Sequence, residues 1–107
     1  MPKLILMFKD KTLSSHPLEN GAKIIIGRHA GNDIVIDNQV VSGIHAHIEF
    51  DGKKITLTDL QSKNGTFCNG EPVSQAILHH DDVITIGKHT ILIDSPVNAD
   101  EEQATAK

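Results

Sequence analysis

The chain has 107 residues, a length that suits one domain. Hydrophobic residues make up 38% and charged residues 22%, enough apolar content for a modest core and too much for a wholly disordered chain. A formal net charge of −4 argues against a broad basic face for nucleic acid, while leaving room for a local cationic pocket.

The apolar content is mainly β-branched: 14 Ile and 6 Val stand against 8 Leu. Their stiff χ1 torsions suit a pleated surface better than a helix. Only three Phe are present, with no Trp or Tyr, so the core is expected to be aliphatic and no aromatic platform exists for stacking nucleobases. The single cysteine, Cys68, cannot form an internal disulfide. Near the amino terminus the apolar run from Leu4 to Phe8 is too short for a signal-peptide core or a membrane span, which points to the cytoplasm.

In chain order, Lys3 to Phe8 reads as a first strand, and Thr12-Leu13 as a short second one. Pro17 to Ala22 contains Pro and Gly and reads as a loop or strand edge. Lys23 to Ile26 is a short continuous apolar run that suits a strand buried on both faces, or one whose alternation is lost near a corner. Arg28 follows at its exit, and His29 to Asp33 reads as a turn. Ile34 to Ile36 forms a three-residue strand. Ala46, Ile48 and Phe50 alternate with His47 and Glu49, the pattern of a half-buried strand. Asp51-Gly52 then turns the chain into a return strand with Ile55 and Leu57 on its apolar face. A loop from Gln61 to Gly65 leads to a short strand, Thr66 to Cys68, and Asn69-Gly70 is a second hairpin turn. Residues 73–79 read as another strand. Asp81-Asp82 turns the chain into a terminal hairpin of Val83 to Ile86 and His89 to Ile93. Residues 95–107, poor in apolar side chains and carrying Asp100-Glu101-Glu102, read as a disordered tail after a domain over 1–94. No helical period appears in residues 1–94. About 10–11 short strands with Gly-bearing turns argue an all-β, antiparallel sandwich.

The polar residues with the most chemistry gather where strands hand over to loops. Arg28 is the sole arginine; the other nine cations are lysines. It follows Gly27. Further on come Ser42-Gly43-Ile44-His45, then Ser62-Lys63-Asn64-Gly65-Thr66, then Asn69-Gly70. Loops held on a rigid sheet are the usual place for a binding site.

The ordered series Gly27-Arg28, Ser42-x-x-His45, Asn64-Gly65-Thr66 and Asn69-Gly70 resembles the forkhead-associated (FHA) domain family. Asn32-Asp33-Ile34-Val35-Ile36 and Asp59-Leu60 add to the likeness, which covers roughly residues 3–94. The resemblance implies a β-sandwich of two twisted sheets that recognises phosphothreonine in an extended peptide through loops at one end, downstream of a Ser/Thr kinase.

Phosphothreonine carries a charge near −2 and three strong acceptor oxygens. A planar guanidinium meets two of them together, whereas an ammonium acts as a point charge. By the resemblance, Arg28 contacts the phosphate, Ser42 donates its hydroxyl and Gly43 its backbone amide. Lys63 adds charge where many relatives carry threonine or another polar residue that reaches the phosphate, and Asn64 bonds the ligand main chain. Gly27, His45, Gly65, Thr66, Asn69 and Gly70 are implied as structural support for the loops. Many relatives have arginine where Gly43 stands, so this pocket loses a cation there. The apolar pair Val40-Val41 before Ser42 suggests an aliphatic preference at the third residue after the phosphothreonine.

Other chemistries fit less well. His45 and His47, and His79-His80-Asp81-Asp82, are rich in ligand types, but no Cys-x-x-Cys or His-Glu-x-x-His spacing exists and no metal or other cofactor is expected. Ser42 with His45 as base lacks a Gly-x-Ser-x-Gly elbow, so no catalysis is expected. A phospho-independent scaffold of a larger assembly is the alternative from a different class. Neither nucleic acid nor a membrane is expected as a partner.

Overall fold

The computed structural model describes residues 1–95. Eleven strands follow in order: β1 Lys3–Phe8, β2 Lys11–Pro17, β3 Lys23–Gly27, β4 Ile34–Val35, β5 Ala46–Phe50, β6 Ile55–Asp59, β7 Phe67–Cys68, β8 Glu71–Pro72, β9 Gln75–Leu78, β10 Val83–Ile86 and β11 His89–Asp94. They form two sheets, one in the order β2-β1-β11-β10-β7-β8 and one in the order β4-β3-β5-β6-β9. No helix occurs among the described residues.

The alternation in the sequence decides which side chains meet between the sheets. Leu4 and Leu6 of β1, Ile84 and Ile86 of β10, and Ile91 and Ile93 of β11 are buried on one side. Ile26 of β3, Ala46 and Ile48 of β5, and Ile55 and Leu57 of β6 are buried on the other. The buried members of the core are all aliphatic, as the composition predicts, with Phe50 and Cys68 packed partly buried against them. Each fully buried Ile or Leu stabilises the fold by about 1.5–3 kcal/mol, so these two facing rows hold the sandwich and give its end loops a rigid base.

Several elements differ from the sequence reading. The second strand is seven residues long, not two. It is a polar edge strand, so burial left no mark on its sequence. Its turn to β1 is Lys9-Asp10, both with positive φ (51° and 67°); two such residues make the hairpin turn that follows strand twist, here without the usual glycine. Ile36 lies outside β4 but is buried, its N–H donating to the Gly27 carbonyl. Thr66 is buried outside β7, held by a side-chain bond described below. Residues 73–79 contain a strand only from Gln75 to Leu78, while Glu71-Pro72 pair with β7. The sheets are antiparallel except for one parallel pair, β3 with β4, which aligns Gly27 with Val35. Leu18, in the stretch read as a loop, is fully buried. Ser95 is buried and its N–H donates to Nδ1 of His80 at 2.9 Å; the rest of the expected tail lies outside the described residues.

Candidate functional site

β3 and β5 are antiparallel, and their pairing continues past the strand ends. The N–H of His45 donates to Ile26, that of Arg28 to Ser42 (2.9 Å) and that of His29 to Gly43 (3.2 Å). This strap fixes the backbone of Arg28 while its side chain stays exposed. Gly27 is needed for space: an added Cβ would collide with the Gly43 carbonyl and stand 2.7 Å from Asn32 Nδ2. Asn32 closes the same corner, its amide donating to the Gly43 carbonyl at 2.7 Å.

His45 joins this strap to the loop after β6. The Ser42 N–H donates to Nδ1 at 3.1 Å, so the ring proton sits on Nε2, which donates to the Gly65 carbonyl at 2.9 Å. The ring is fully buried. Strict alternation with His47 would have turned it to solvent, but β5 begins only at Ala46.

Asp59, at the end of β6, organises the second loop. Its carboxylate accepts the Ser62 hydroxyl at 2.5 Å, the Thr66 hydroxyl at 2.7 Å and the Ser62 N–H at 3.2 Å. The Ser62 hydroxyl in turn accepts the Gly65 N–H at 3.0 Å. Burial alone would push the Asp59 carboxyl up; the bonds from Ser62 and Thr66 outweigh it and hold the group below its usual 3.8. Gly65 takes a φ of 90°, which places its carbonyl under His45.

Two further bonds knit the loops together. The Lys63 N–H donates to Ser42 Oγ at 2.9 Å, which leaves the serine hydroxyl proton free to donate elsewhere. The Asn64 amide donates to the Val40 carbonyl at 2.7 Å, which leaves its Oδ1 as an acceptor. As a result Arg28, Ser42, Gly43, Lys63 and Asn64 line one open depression of about 260 Å³, with Gln39, Val40 and Val41 on its remaining side. No carboxylate lines it, and neither Arg28 nor Lys63 pairs with a carboxylate among the described residues. Two unpaired cations, a hydroxyl donor and a carboxylate-free wall make a place suited to an anion.

Asn69 and Gly70 lie elsewhere. They form a turn with positive φ at both positions (51° and 88°), and the Asn69 side chain bonds Asp82 and the Val83 N–H at the start of β10. Asn69 braces that turn and makes no bond to the loops around Arg28. A slightly larger hollow of about 290 Å³ lies at the opposite end of β5, but two carboxylates, Glu49 and Asp51, line it against one cation, Lys54, and disfavour an anion. Among the described residues, no three His, Cys, Asp or Glu side chains gather to hold a metal ion.

The sequence reading passed over the roles of Asp59, Ser62 and Asn32. Asp59-x-x-Ser62 has the spacing of a local turn in which a carboxylate accepts a nearby amide. Nothing in the sequence marks Asn32 as a partner of Gly43.

A family model for the FHA domain matches residues 24–87. The chain is 35% identical over 80 residues to the glycogen accumulation regulator GarA of Mycolicibacterium smegmatis, covering 75% of this chain. It spans 51% of that regulator's length. Its fold matches the FhaA FHA domain, solved in complex with the intracellular domain of Rv3910, with a TM-score of 0.78 and 33% identity over 87% of this chain and 99% of that one. It also matches a structure from work on phosphothreonine-dependent FHA domain interactions, with a TM-score of 0.77 and 32% identity over 87% of this chain and 96% of that one.

Proposed function

The chain belongs to the FHA domain family, and on that premise we propose that it is a non-catalytic module that binds phosphothreonine peptides and so reads the output of a Ser/Thr kinase in the cytoplasm. In this reading the Arg28 guanidinium takes two phosphate oxygens, a geometry that an ammonium does not reproduce. The Ser42 hydroxyl and the Gly43 N–H donate to the phosphate, and Lys63 adds charge from across the depression. Asn64 Oδ1 accepts an N–H of the ligand backbone, which sets register. Val40 offers an aliphatic contact further along the peptide.

The observation that carries this proposal is the convergence of Arg28, Ser42, Gly43, Lys63 and Asn64 on one carboxylate-free depression. A degenerate phosphothreonine peptide library, screened beside its unphosphorylated counterpart, tests it. Selective capture of phosphorylated peptides is expected, with aliphatic residues enriched at the third position after the phosphothreonine. Equal capture of both libraries, or of neither by folded protein, would favour a phospho-independent scaffold.

A further inference from the structure

Val40 is held on three sides. Its N–H donates to Asn38 Oδ1 at 3.0 Å, and its carbonyl accepts the Asn64 amide at 2.7 Å. Its side chain packs on Gly87, where an added Cβ would stand 2.9 Å from Cγ2. Val40 is 39% exposed and lines the anion depression, whereas Gly87 does not. Val40 is therefore a shared wall, with the depression on one flank and the turn between β10 and β11 on the other.

That turn is short. Ile86 and His89 pair across it, so Gly87 and Lys88 alone form its tip. Gly87 has a φ of 63° and Lys88 is not among the residues with positive φ, the order of a hairpin turn with glycine first. Lys88 is exposed, one residue from the contact with Val40. The turn between β1 and β2 lies beside it: Phe8 packs on His89 with ring centroids 4.7 Å apart, and Lys9 Nζ stands 5.4 Å from the centre of the Phe8 ring. Lys9, Lys11 and Lys88 are exposed, and none pairs with a carboxylate among the described residues. Of the carboxylates on the loops of this end, Asp33 accepts the Ile25 N–H and Asp59 is taken by its hydroxyls. Asp10 and Asp37 remain against Arg28, Lys63 and these three lysines, so a chain of net charge −4 keeps a cationic rim here.

We propose that Lys88 selects an acidic residue in the ligand, at the fourth or fifth position after the phosphothreonine. The proposal rests on the phosphothreonine reading above and extends it past the depression. An extended peptide that leaves its phosphate at Arg28 and sets an aliphatic side chain on Val40 next passes over Gly87, which has no side chain to obstruct it. Such a peptide advances about 3.3 Å per residue, so the Lys88 ammonium meets the residues that directly follow the aliphatic one. A carboxylate there gains a partner that no group of the domain occupies, and a lysine there is repelled by the rim.

The test compares two forms of one phosphothreonine peptide selected from the library, with glutamate or with glutamine at the fourth and fifth positions. Each is titrated by fluorescence anisotropy with wild type, Lys88→Ala, Lys88→Glu and Arg28→Ala, and each protein is checked by a thermal melt. Wild type should bind the glutamate form about 2- to 5-fold more tightly, the size of an exposed ion pair. Lys88→Ala should bring the two affinities together while leaving that for the glutamine form unchanged, and Lys88→Glu should invert their order. A wild type indifferent to the exchange, a preference that survives in Lys88→Ala, or equal weakening of both forms by Lys88→Ala would overturn the proposal. In each of those cases, loss of both forms in Arg28→Ala would still uphold the phosphothreonine site. Failure of wild type itself to bind, or undiminished binding by folded Arg28→Ala, would instead reject the phosphothreonine reading, and this proposal with it.

Discussion

His45 Nε2 donates to the Gly65 carbonyl across 2.9 Å, and this bond holds the loop of Ser42 against the loop of Lys63. The same ring accepts the Ser42 N–H, so one buried side chain sets the separation of two walls of the depression. Replacing His45 with Ala would strand a carbonyl and an amide and leave a cavity. A loss of about 2–4 kcal/mol is expected. Urea unfolding should show a lower midpoint, and ligand affinity should fall even at temperatures where the variant stays folded. An unchanged midpoint would mean that the loops are held by other bonds.

Asp59 gives a second prediction. Its carboxylate gathers two hydroxyls and an amide, so Asp59→Ala should cost about 1–3 kcal/mol. The folded group titrates below its unfolded value of 3.8. Its contribution is therefore complete above pH 3.8 and is lost as pH falls through the folded value. Wild type should lose stability over that acid range more steeply than Asp59→Asn. Parallel acid curves for the two proteins would refute the assignment.

His89 predicts the opposite ionisation with the same direction of pH dependence. Burial pushes its imidazole down from 6.5; the ring packs on Phe8 with centroids 4.7 Å apart, and Nδ1 has no partner among the described residues. The unfolded chain binds this proton more readily than the folded one. Stability is thus complete above pH 6.5 and declines as pH falls from there toward the folded value. His89→Phe should flatten the slope of unfolding free energy between about pH 5 and 7. A slope equal to that of wild type would exclude His89 as its source.

Gly87 supports the site from outside. Its φ is 63°, and an added Cβ would stand 2.9 Å from Val40 Cγ2 and 3.2 Å from Val41 Cγ2. Gly87→Ala should lower stability by about 1 kcal/mol or more through the strained φ. It should also displace Val40 and weaken any aliphatic preference in the peptide library. A variant with unchanged stability and unchanged preference would show that this turn does not support the wall.

The legible parts of the sequence were those with a local cause. Alternation in Ala46–Phe50 and Ile55–Asp59 marks which side chains meet in the core, and the strand exit at Arg28 follows from the apolar run before it. The turn at Lys9-Asp10 carried no glycine to announce it, and β2 buries too little to show a pattern. The parallel pairing of β4 with β3 depends on the turn between them, which Asn32 and Asp33 brace by bonds to the Gly43 carbonyl and the Ile25 N–H. In the site, Arg28, Ser42, Lys63 and Asn64 stood out because they sit where strands meet loops. Asp59 did not, because its role appears only once Ser62 and Thr66 fold back on it. The bond from the His29 N–H to the Gly43 carbonyl was equally hidden, since it joins residues from two different loops.

The phosphate role of Arg28 is tested most directly by titrating a fluorescent phosphothreonine peptide from the library with wild type, Arg28→Lys and Arg28→Ala, each checked for a native melting transition. Removing the guanidinium should cost about 2–5 kcal/mol, or roughly 30- to several-thousand-fold in affinity, and the lysine variant should also bind more weakly than wild type. A folded Arg28→Ala protein that binds the phosphopeptide as tightly as wild type would contradict the phosphate site.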